Sequence, residues 1–517
     1  MMNNQFLNYQ NIAKEKFEFA NHGEKLHDKK LDTKPIGYFK DAWLRFRRNK
    51  SSVTASIIII LLVIFAIVVP MFSQYTISDR DGYYSTVLPK SELLSKIGIW
   101  DGTKYTKESP AGYDYYSSIG IESGMPAVIG DAEVSTDSTG ATYYTFKIDT
   151  YAKVGFVYVN LSEGEYLALQ EYQNETGIQI IYPLANTHKT NYVMGNGGAN
   201  FWYTLKDSRK ESAGEAVRDE NGNFIPNYIT DDNKNKAKYD SLRIAGDDGG
   251  ENGDEWYVYA FRNQTGYKVR VNYFEYYVYT NGHEPVFLFG TNAYGQDIFT
   301  CLAAGARLSF LLAVFVSIIN LTLGTIYGSI EGYYGGATDI IMERISDILA
   351  SVPFIVVATL FQMHLAEKVG VIPSLLFAFV ATGWVGMASR VRMQFYRFKG
   401  QEYILAARTL GAKDSRLMFK HILPNSIGTI ITGAVLSIPG VIFSESMLSY
   451  LGIVNLETSS TFTSIGTMLS QGQGYLYNYP HIILFPAVFI ALLEISFNLF
   501  GNGLRDAFNP SLRGVEE

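Results

Sequence analysis

Two carboxylates lie inside stretches of sequence that are otherwise apolar. Glu445 falls in VIFSESMLSYLG and Glu494 falls in IALLEISFNLF. An ionised side chain in the hydrocarbon region of a bilayer costs about 2.5 to 3.5 kcal/mol on insertion scales, so each is a candidate for function. We predict that both carboxylates face a water-accessible pathway and contact amine or backbone groups of a solute. In the alternative, each carboxylate pairs with a neighbouring helix or lies near an interface.

Signals for other chemistry are weak. The sequence contains no phosphate-binding loop of the GxxxxGKS/T type, so we do not expect the chain to hydrolyse ATP or to be an enzyme. Its seven histidines show no pair at metal-ligand spacing. The acidic run DDGGENGDE at 247–255 lacks the ligand and glycine positions of an EF-hand and is better interpreted as a solvated loop. We predict no metal, no cofactor held by this chain and no nucleic-acid partner.

Six segments are apolar and long enough to cross a bilayer, whose hydrocarbon core takes about 20 helical residues. They are residues 53–72, 304–330, 340–365, 371–393, 426–448 and 481–504. The averages over the whole chain, 47% hydrophobic residues and a mean hydropathy of +0.02, do not reveal these segments, because they include the long polar region between the first two. In the fifth segment Gly433, Pro439 and Gly440 predict a helix that bends or packs closely, as a gate would require.

Basic residues set the expected orientation. Arg45, Arg47 and Arg48 precede the first span, which by the positive-inside rule keeps the N-terminus in the cytoplasm. Six crossings then return the C-terminus to the same side. No short apolar stretch lies near Met1, so we expect no cleaved signal peptide. The predicted division is a cytoplasmic segment at 1–52, a first span at 53–72, an extracellular region at 73–288, a five-helix core at 289–505 and a cytoplasmic tail at 506–517.

The region between the first two spans differs from the rest of the chain. Residues 73–288 contain 30 Asp and Glu against 19 Lys and Arg, a charge of −11, whereas the remainder carries +4. Its predicted elements are strands at 142–148, 155–161 and 267–281, a hairpin turn at 263–266 and a helix at 163–173. The single cysteine, Cys301, lies outside the region, so no intramolecular disulfide holds it. We predict an α+β extracellular domain of a bacterial protein.

The chain turns polar between the fourth and fifth spans. Residues 402–410 predict about two helical turns with Leu405, Ala406 and Leu410 available for one face, and Gly411 follows where a helix end tolerates positive φ. Basic side chains place the segment in the cytoplasm, namely Arg408, Lys413, Arg416 and Lys420.

The string ILAARTLGA, followed by HILPN, resembles the EAA loop of binding-protein-dependent ABC importer permeases, and among them the C-type subunit of oligopeptide and dipeptide (Opp-type) transporters. In that family the loop is a short coupling helix that docks into a groove on a separate cytoplasmic ATPase, which implies a coupling helix at 402–416. Leu405 occupies the position of the motif's glutamate, so we expect an apolar contact there in place of a polar one. The resemblance assigns the coupling role to Glu402, Leu405, Ala406, Ala407, Gly411, Ala412 and Arg416.

Further motifs extend the resemblance over most of the apolar part. KDAWLRFRRNKSS at 40–52 is similar to the family's basic lead-in, and FGTNAYGQDIFTCLAAGARLSF at 289–310 is similar to its GTDxxGRDxxSRxxxGAR motif. Asn292 and Gln296 replace an acidic and a basic residue of that motif. GYYGGATD, ISDILASVP and FNLFGNGLRDAFNP then follow in the family's order. The insert has no counterpart in the shortest members, so the resemblance implies nothing about its function.

The resemblance implies an α-helical polytopic membrane protein with six transmembrane helices, the fold of a type I ABC importer permease, carrying an inserted α+β extracellular domain. It implies a subunit of the bacterial plasma membrane that imports oligopeptides. The implied partners are a second homologous permease, two cytoplasmic ABC ATPases that bind ATP and Mg, and an extracellular substrate-binding lipoprotein.

Three alternatives remain at this point: import of nickel or another small solute on the same scaffold, a membrane-anchored extracellular sensor or structural protein, and a transporter driven by an ion gradient. Three roles are open for the inserted domain. It would dock the binding protein through exposed Tyr side chains and Trp202 or Trp256, cover the outer mouth and select substrates, or act as a spacer.

Overall fold

The computed structural model describes residues 37–186, 198–206, 214–229, 239–243, 257–263, 266–454 and 462–508. These residues form a helical unit that is interrupted, after its first long helix, by an inserted domain of strands and short helices. In chain order the helices are α1 (Tyr38–Arg48), α2 (Lys50–Phe72), α3 (Glu92–Ser95), α4 (Pro110–Ser123), α5 (Glu163–Thr176), α6 (Tyr273–Asn281), α7 (Ile298–Tyr334), α8 (Gly336–Ala350), α9 (Phe354–Val369), α10 (Val371–Phe398), α11 (Glu402–Thr409), α12 (Asp414–Arg416), α13 (Leu423–Val435), α14 (Ser437–Tyr450), α15 (Ile465–Gly472) and α16 (His481–Phe508). The strands are β1 (Thr103–Glu108), β2 (Val128–Thr136), β3 (Thr142–Asp149), β4 (Phe156–Leu161), β5 (Ile181–Tyr182), β6 (Tyr239–Arg243), β7 (Tyr257–Asn263) and β8 (Gly266–Asn272).

Five helical segments of the described chain are long and apolar enough to cross a membrane: α2, α7, α10, the run Asp414–Tyr450 and α16. Helices α8 and α9 pass the same test only as a pair, and they meet at 70°. The predicted third span at 340–365 is therefore not one straight helix. The chain leaves the helix at Ser351 and resumes it after Pro353, because proline has no N–H to donate and disfavours helical geometry in the residue before it. With the bent pair counted as one span, the described residues contain the predicted six.

The fifth span is interrupted near its middle. α13 ends at Val435 and α14 begins at Ser437, so Pro439 stands in the first turn of α14. A proline there lacks the N–H that would bond to the carbonyl of Val435, four residues earlier. Gly433, Pro439 and Gly440 predict a helix that bends or packs closely; the structure shows a one-residue break at Leu436, and a gating role stays a prediction.

Helices α7 and α10 approach closely along glycines of α7. A methyl group added at Gly324 would lie 2.6 Å from the Cβ of Met387, and one added at Gly328 would overlap the carbonyl oxygen of Ala388. Glycines four residues apart let two helix backbones come close, and this packing supplies much of the association energy of helices in lipid. The close α7–α10 contact therefore depends on glycine, which has no side chain, at these two positions.

Gly328→Ala should destabilise this helix pair by about 1 to 3 kcal/mol, because the added carbon overlaps backbone atoms that move only if α10 repacks. Thermal unfolding of the detergent-purified protein, followed by tryptophan fluorescence, should then have a lower midpoint. Gly386→Ala on α10 is the matched control, since its added methyl group would meet no atom within 4 Å. Equal midpoint shifts in the two variants would contradict a role for this close helix approach.

The inserted domain contains two antiparallel sheets. The three-stranded sheet has the order β1-β3-β2, and the larger sheet has the order β4-β8-β7-β6 with β5 also paired to β8. The predicted strands at 142–148 and 155–161 are present as β3 and β4. β7 pairs with β8 so that Asn263 lies opposite Gly266, and the two residues between them, at the centre of the predicted turn, lie outside the described residues. The predicted α+β character of the domain is thus found in the described residues.

One predicted strand is partly wrong. β8 ends at Asn272, whose side chain accepts a hydrogen bond from the N–H of Phe274 at 3.1 Å and begins α6. The sequence predicts strand up to residue 281, but a helix N-cap outweighs the alternating pattern beyond Asn272. The predicted helix at 163–173 is confirmed as α5, which has a capping box at Ser162 and ends at Gly177 in the left-handed region.

Trp202 is not available as a surface anchor. The structure buries its side chain, and its indole N–H donates to the carbonyl of Ser118 at 3.1 Å. Burial with a satisfied N–H is the usual arrangement of a core tryptophan, so the predicted contact role is wrong for this residue. Trp256 and the acidic run at 247–255 lie outside the described residues.

A buried ion pair joins α4 to the larger sheet. Arg270 on β8 is fully buried, and its guanidinium donates to both carboxylate oxygens of Glu122. The Arg270 Nε also donates to the carbonyl of Ala199 at 2.6 Å, and the Tyr228 hydroxyl donates to Glu122 at 2.8 Å. Burial alone would lower the pKa of the guanidinium, but the Glu122 carboxylate outweighs it and the pKa of Arg270 is raised. The pair therefore stays charged inside the domain.

The two ends of the inserted domain lie together. The Tyr75 hydroxyl donates to the carbonyl of Val286 at 3.0 Å and accepts from the N–H of the same residue at 3.1 Å. Ser73, the first residue after α2, has its hydroxyl 2.6 Å from that of Thr300 in the first turn of α7. The chain therefore leaves and re-enters the helical unit at almost the same place.

The inserted domain also packs on the start of α16. Trp100 contacts Phe289 and Phe485 edge-on, with ring centroids 5.8 and 5.7 Å away, and those two rings stack on each other at 4.0 Å. His481 at the start of α16 has its Nε2 3.3 Å from the carbonyl oxygen of Thr291. The domain is thus held against the ends of α7 and α16 that lie farthest from α11.

Candidate functional site

A short helix between the fourth and fifth spans ends in a well-defined turn. α11 begins at Glu402 and closes with a Schellman motif, in which the N–H of Ala412 donates to the carbonyl of Ala407 at 3.1 Å and that of Gly411 donates to Arg408 at 3.0 Å. Gly411 has φ of 83°, a conformation that glycine adopts without steric cost. Ala407 and Ala412 both pack on the core beneath. The predicted helical turns from residue 402 and their glycine stop are confirmed, but the coupling helix predicted over 402–416 is divided by this turn into α11 and α12.

The opposite face of α11 remains open. Ile404 is fully buried in the core, whereas Leu405 is 46% exposed and Leu410 is 88% exposed. Among the residues with a predicted coupling role, those left exposed are Glu402, Leu405, Ala406, Gly411 and Arg416. We call the apolar part of this face, Leu405, Ala406 and Leu410, the coupling surface. Exposed apolar side chains grouped on an anchored helix are typical of a surface that docks on another protein.

Polar and apolar contacts fix α11 to the spans on either side. The Tyr333 hydroxyl at the end of α7 donates to Asp414 at 2.6 Å, and the Arg408 guanidinium lies 3.5 Å from the same hydroxyl. The segment Leu417–Ile422 forms one π-helical turn that leads into α13, and its residues Leu417, Met418 and Ile422 are buried. α11 is therefore in contact with α7, and the segment that follows it leads through buried side chains into α13.

The two intramembrane carboxylates occupy different surroundings. Glu445 on α14 is buried inside this chain, where the Ser309 hydroxyl of α7 donates to one oxygen at 2.8 Å and the Ser449 hydroxyl donates to the other at 3.0 Å. This is the alternative in which the carboxylate pairs with a neighbouring helix. Glu494 on α16 is half-buried, and its Oε1 has no hydrogen-bond partner in the described part of the chain. A pathway role for either residue stays a prediction.

An open cavity of about 430 Å³, which we call the central cavity, lies between the middle parts of α7 and α10 and the first half of α14. Its polar lining consists of Ser317, Asn320, Thr382, Arg390, Ser437 and Ser444. Of the predicted pathway residues, Gly440 lines this cavity, Pro439 is buried next to it, and the two carboxylates are not on its wall. Hydroxyl, amide and guanidinium groups at this depth can solvate a polar solute, which lipid cannot do.

Asn320 and Arg390 are functional candidates that the sequence analysis misses. The Oδ1 of Asn320 is buried without a hydrogen-bond partner among the described residues. The signal for it is a single amide inside the apolar run SIINLTLG, which is as unusual at membrane depth as a lone carboxylate. No such signal exists for Arg390, since its place on the cavity wall results from the packing of three helices that are distant in sequence.

Comparison with known proteins identifies matches on both sides of the inserted domain. Residues 37–89 match the family described as the N-terminal TM domain of oligopeptide transport permease C, and residues 320–514 match the binding-protein-dependent transport system inner membrane component family. Residues 90–319 lie outside both matches.

Each alignment with an individual relative spans less than half of this chain but most of the relative's length. The oligopeptide transport system permease protein OppC of Bacillus subtilis is 45% identical over 225 residues, which is 44% of this chain and 72% of that protein. The dipeptide transport system permease protein DppC of the same organism is 41% identical over 226 residues, 44% of this chain and 69% of that protein. The oligopeptide permease OppC of Haemophilus influenzae is 38% identical over 230 residues, 44% of this chain and 72% of that protein.

Proposed function

Because this chain belongs to the binding-protein-dependent transport system inner membrane component family, in its oligopeptide and dipeptide permease branch, we propose that it imports peptides as a permease subunit of an ATP-driven importer. It is a multi-pass membrane permease, and peptides are the cargo named for its relatives. The observation that carries the proposal is the exposed coupling surface on α11, a helix that contacts α7 through Arg408 and the core beneath it through Ile404.

The coupling surface defines the partners that we propose. Two cytoplasmic ABC ATPases bind ATP and Mg²⁺, one docking on the coupling surface of this chain and the other on a second, homologous permease. An extracellular substrate-binding lipoprotein delivers the peptide. With Leu405 in place of the family's glutamate, the contact with the ATPase relies on apolar burial, which contributes roughly 25 cal/mol per Å² of area removed from water.

Charge distribution supports an orientation with α11 in the cytoplasm. The last turn of α1 carries Arg45, Arg47 and Arg48, and α1 packs on the end of α16 through Phe46. Lys399 lies at the end of α10, just before α11. By the positive-inside rule this end of the helical unit faces the cytoplasm, as do both termini. The inserted domain at the opposite end is then extracellular, where it docks the binding protein, covers the outer mouth or acts as a spacer.

The proposed cycle is a population shift between two conformations of the permease pair. ATP binding closes the ATPases and moves the two coupling helices with them. Because Arg408 of α11 and Asp414 of α12 both contact the Tyr333 hydroxyl of α7, we expect the movement to reach the wall of the central cavity, to which α7 contributes Ser317 and Asn320. Opening of that cavity alternately to the outside and to the inside would carry the peptide across.

Purification of the tagged chain from its native membrane in mild detergent tests this proposal. A second permease and two ATPases should accompany it, with vanadate-sensitive ATP hydrolysis, and the complex reconstituted with its binding protein should take up trialanine in an ATP-dependent manner. A homo-oligomer free of ATPases, obtained from intact complexes, would instead favour the sensor or the transporter driven by an ion gradient.

Gly411→Val should reduce ATP-driven peptide uptake by about fivefold to thirtyfold, because a β-branched residue in the left-handed region costs roughly 1 to 2 kcal/mol and opens the turn that presents Leu410. The side chain itself causes no clash, since a carbon added at Gly411 meets no atom within 4 Å. Uptake and membrane content are measured together in reconstituted vesicles. Gly411→Asn should keep most of the uptake, because asparagine enters this conformation readily, and equal losses in both variants would show that the left-handed conformation is not the cause.

A further inference from the structure

A second cavity, which we call the arginine cavity, opens between α10, α13 and α16. Its volume is about 360 Å³. Its polar and charged lining consists of Arg390, Gln394, Arg397, Thr429, Thr432 and Arg505. Among the described residues, three guanidinium groups and no carboxylate line this space, which makes it cationic.

The three arginines of this cavity have no acidic partner in the part of the chain that the structure describes. Arg392, two residues from Arg390, shows the contrasting arrangement, since it donates to both oxygens of Asp339 at 2.6 and 2.9 Å and also to Glu343. Arg390 has one hydrogen bond, from its guanidinium to the carbonyl of Gly433 at 3.1 Å. Its other N–H groups are therefore available to an anion, and guanidinium binds carboxylate through paired hydrogen bonds in a fixed geometry.

Arg390 belongs to both cavities. It lines the central cavity beside Ser444 and Thr382, and it lines the arginine cavity beside Thr432. Arg390 thus stands where the two cavities adjoin, with neutral hydrogen-bonding groups on the side of the central cavity and two further guanidinium groups on the side of the arginine cavity. The hydroxyl and amide groups of the central cavity can bond to a peptide backbone, and its apolar lining, Phe354, Phe379, Met387 and Val441, can contact peptide side chains.

We infer that the arginine cavity receives the C-terminal carboxylate of the transported peptide, with Arg390 as the first guanidinium group that the carboxylate meets. The inference rests on the proposed function, since it assumes that peptide passes the central cavity. Asn320, with its free Oδ1, accepts a backbone N–H of the same peptide. Arg397 and Arg505 extend the cationic surface beyond Arg390 and guide the carboxylate out of the membrane.

The test uses the reconstituted complex with its binding protein and compares uptake of trialanine with that of trialanine amide, which lacks the carboxylate charge. Both peptides are given to the wild-type complex and to Arg390→Gln. The binding protein is the same in every sample, so its own preference cancels when the ratio of the two uptake rates is compared between permeases. We expect Arg390→Gln to lower the preference for the free carboxylate by about tenfold or more, the scale of a hydrogen bond to a charged group.

Three further measurements distinguish carboxylate binding from a structural role of Arg390 and from the binding of lipid phosphate. Arg390→Lys should restore part of the preference, because it keeps the charge but loses the paired geometry. Arg344→Gln, which removes an exposed arginine outside both cavities, should leave the preference unchanged. Uptake by the wild type should keep its preference in vesicles of phosphatidylcholine alone.

The inference is overturned if Arg390→Gln slows both peptides equally, which would mark a structural role. It is also overturned if the wild type loses its preference when anionic lipid is removed, because the arginines would then hold lipid phosphate. Failure of the proposed function looks different, since no permease would then take up either peptide in the presence of ATP.

Discussion

Leu410→Glu should abolish ATP-driven peptide uptake while leaving the permease folded in the membrane. Leu410 is 88% exposed at the end of α11, so the substitution removes almost no internal packing. In the proposed complex the same side chain is buried against an ATPase, and a central interface contact of this kind contributes about 2 kcal/mol or more. A buried, unpaired carboxylate adds a further penalty, so we expect uptake to fall by at least about thirtyfold.

Uptake, ATP hydrolysis and the amount of ATPase that co-purifies would be measured on the same reconstituted samples. Leu93→Glu is the matched control, because Leu93 is 78% exposed in the inserted domain and far from α11. We expect that control to behave as the wild type does. Normal uptake by Leu410→Glu would show that the coupling surface does not contact the ATPase.

Glu122→Ala should unfold the inserted domain or destabilise it by about 3 to 5 kcal/mol, because it leaves the fully buried charge of Arg270 without a partner. The effect is predicted to be confined to that domain, since Glu122 contacts Arg270 and Tyr228, both of which belong to it. Limited proteolysis of the full-length protein across a temperature series would report it as early cleavage within residues 73–288.

Two comparison variants make this prediction specific. Glu215→Ala removes the exposed pair with Lys206 and should cost less than about 1 kcal/mol. Joint replacement of Glu122 by Leu and Arg270 by Met removes both charges and should recover much of the lost stability. A proteolysis midpoint for Glu122→Ala that matches that of Glu215→Ala would show that the buried pair is not required.

The coupling helix is the part of the site that sequence predicts best. Its start at Glu402 and its stop at Gly411 depend on local chemistry, namely helix periodicity and the conformational freedom of glycine, and both are present. The exposure of Leu405 and Leu410 also follows, because Ile404 and Ala407 supply the buried face. Local patterns therefore suffice for an element whose geometry is determined by its own residues.

Features that depend on distant contacts are predicted less well. The 70° bend between α8 and α9 is invisible to hydropathy, which averages over Pro353. The strand predicted through residue 281 fails because the cap at Asn272 competes with the alternating pattern. The central cavity could not be predicted at all, since Ser317, Thr382 and Ser444 become neighbours only when three helices pack together.

The hydrogen bonds between Tyr75 and Val286 also make the chain modular. A domain whose two ends lie side by side can stand in place of a short loop without moving the helices on either side. The inserted domain can therefore differ in size or content while the helical unit keeps its arrangement.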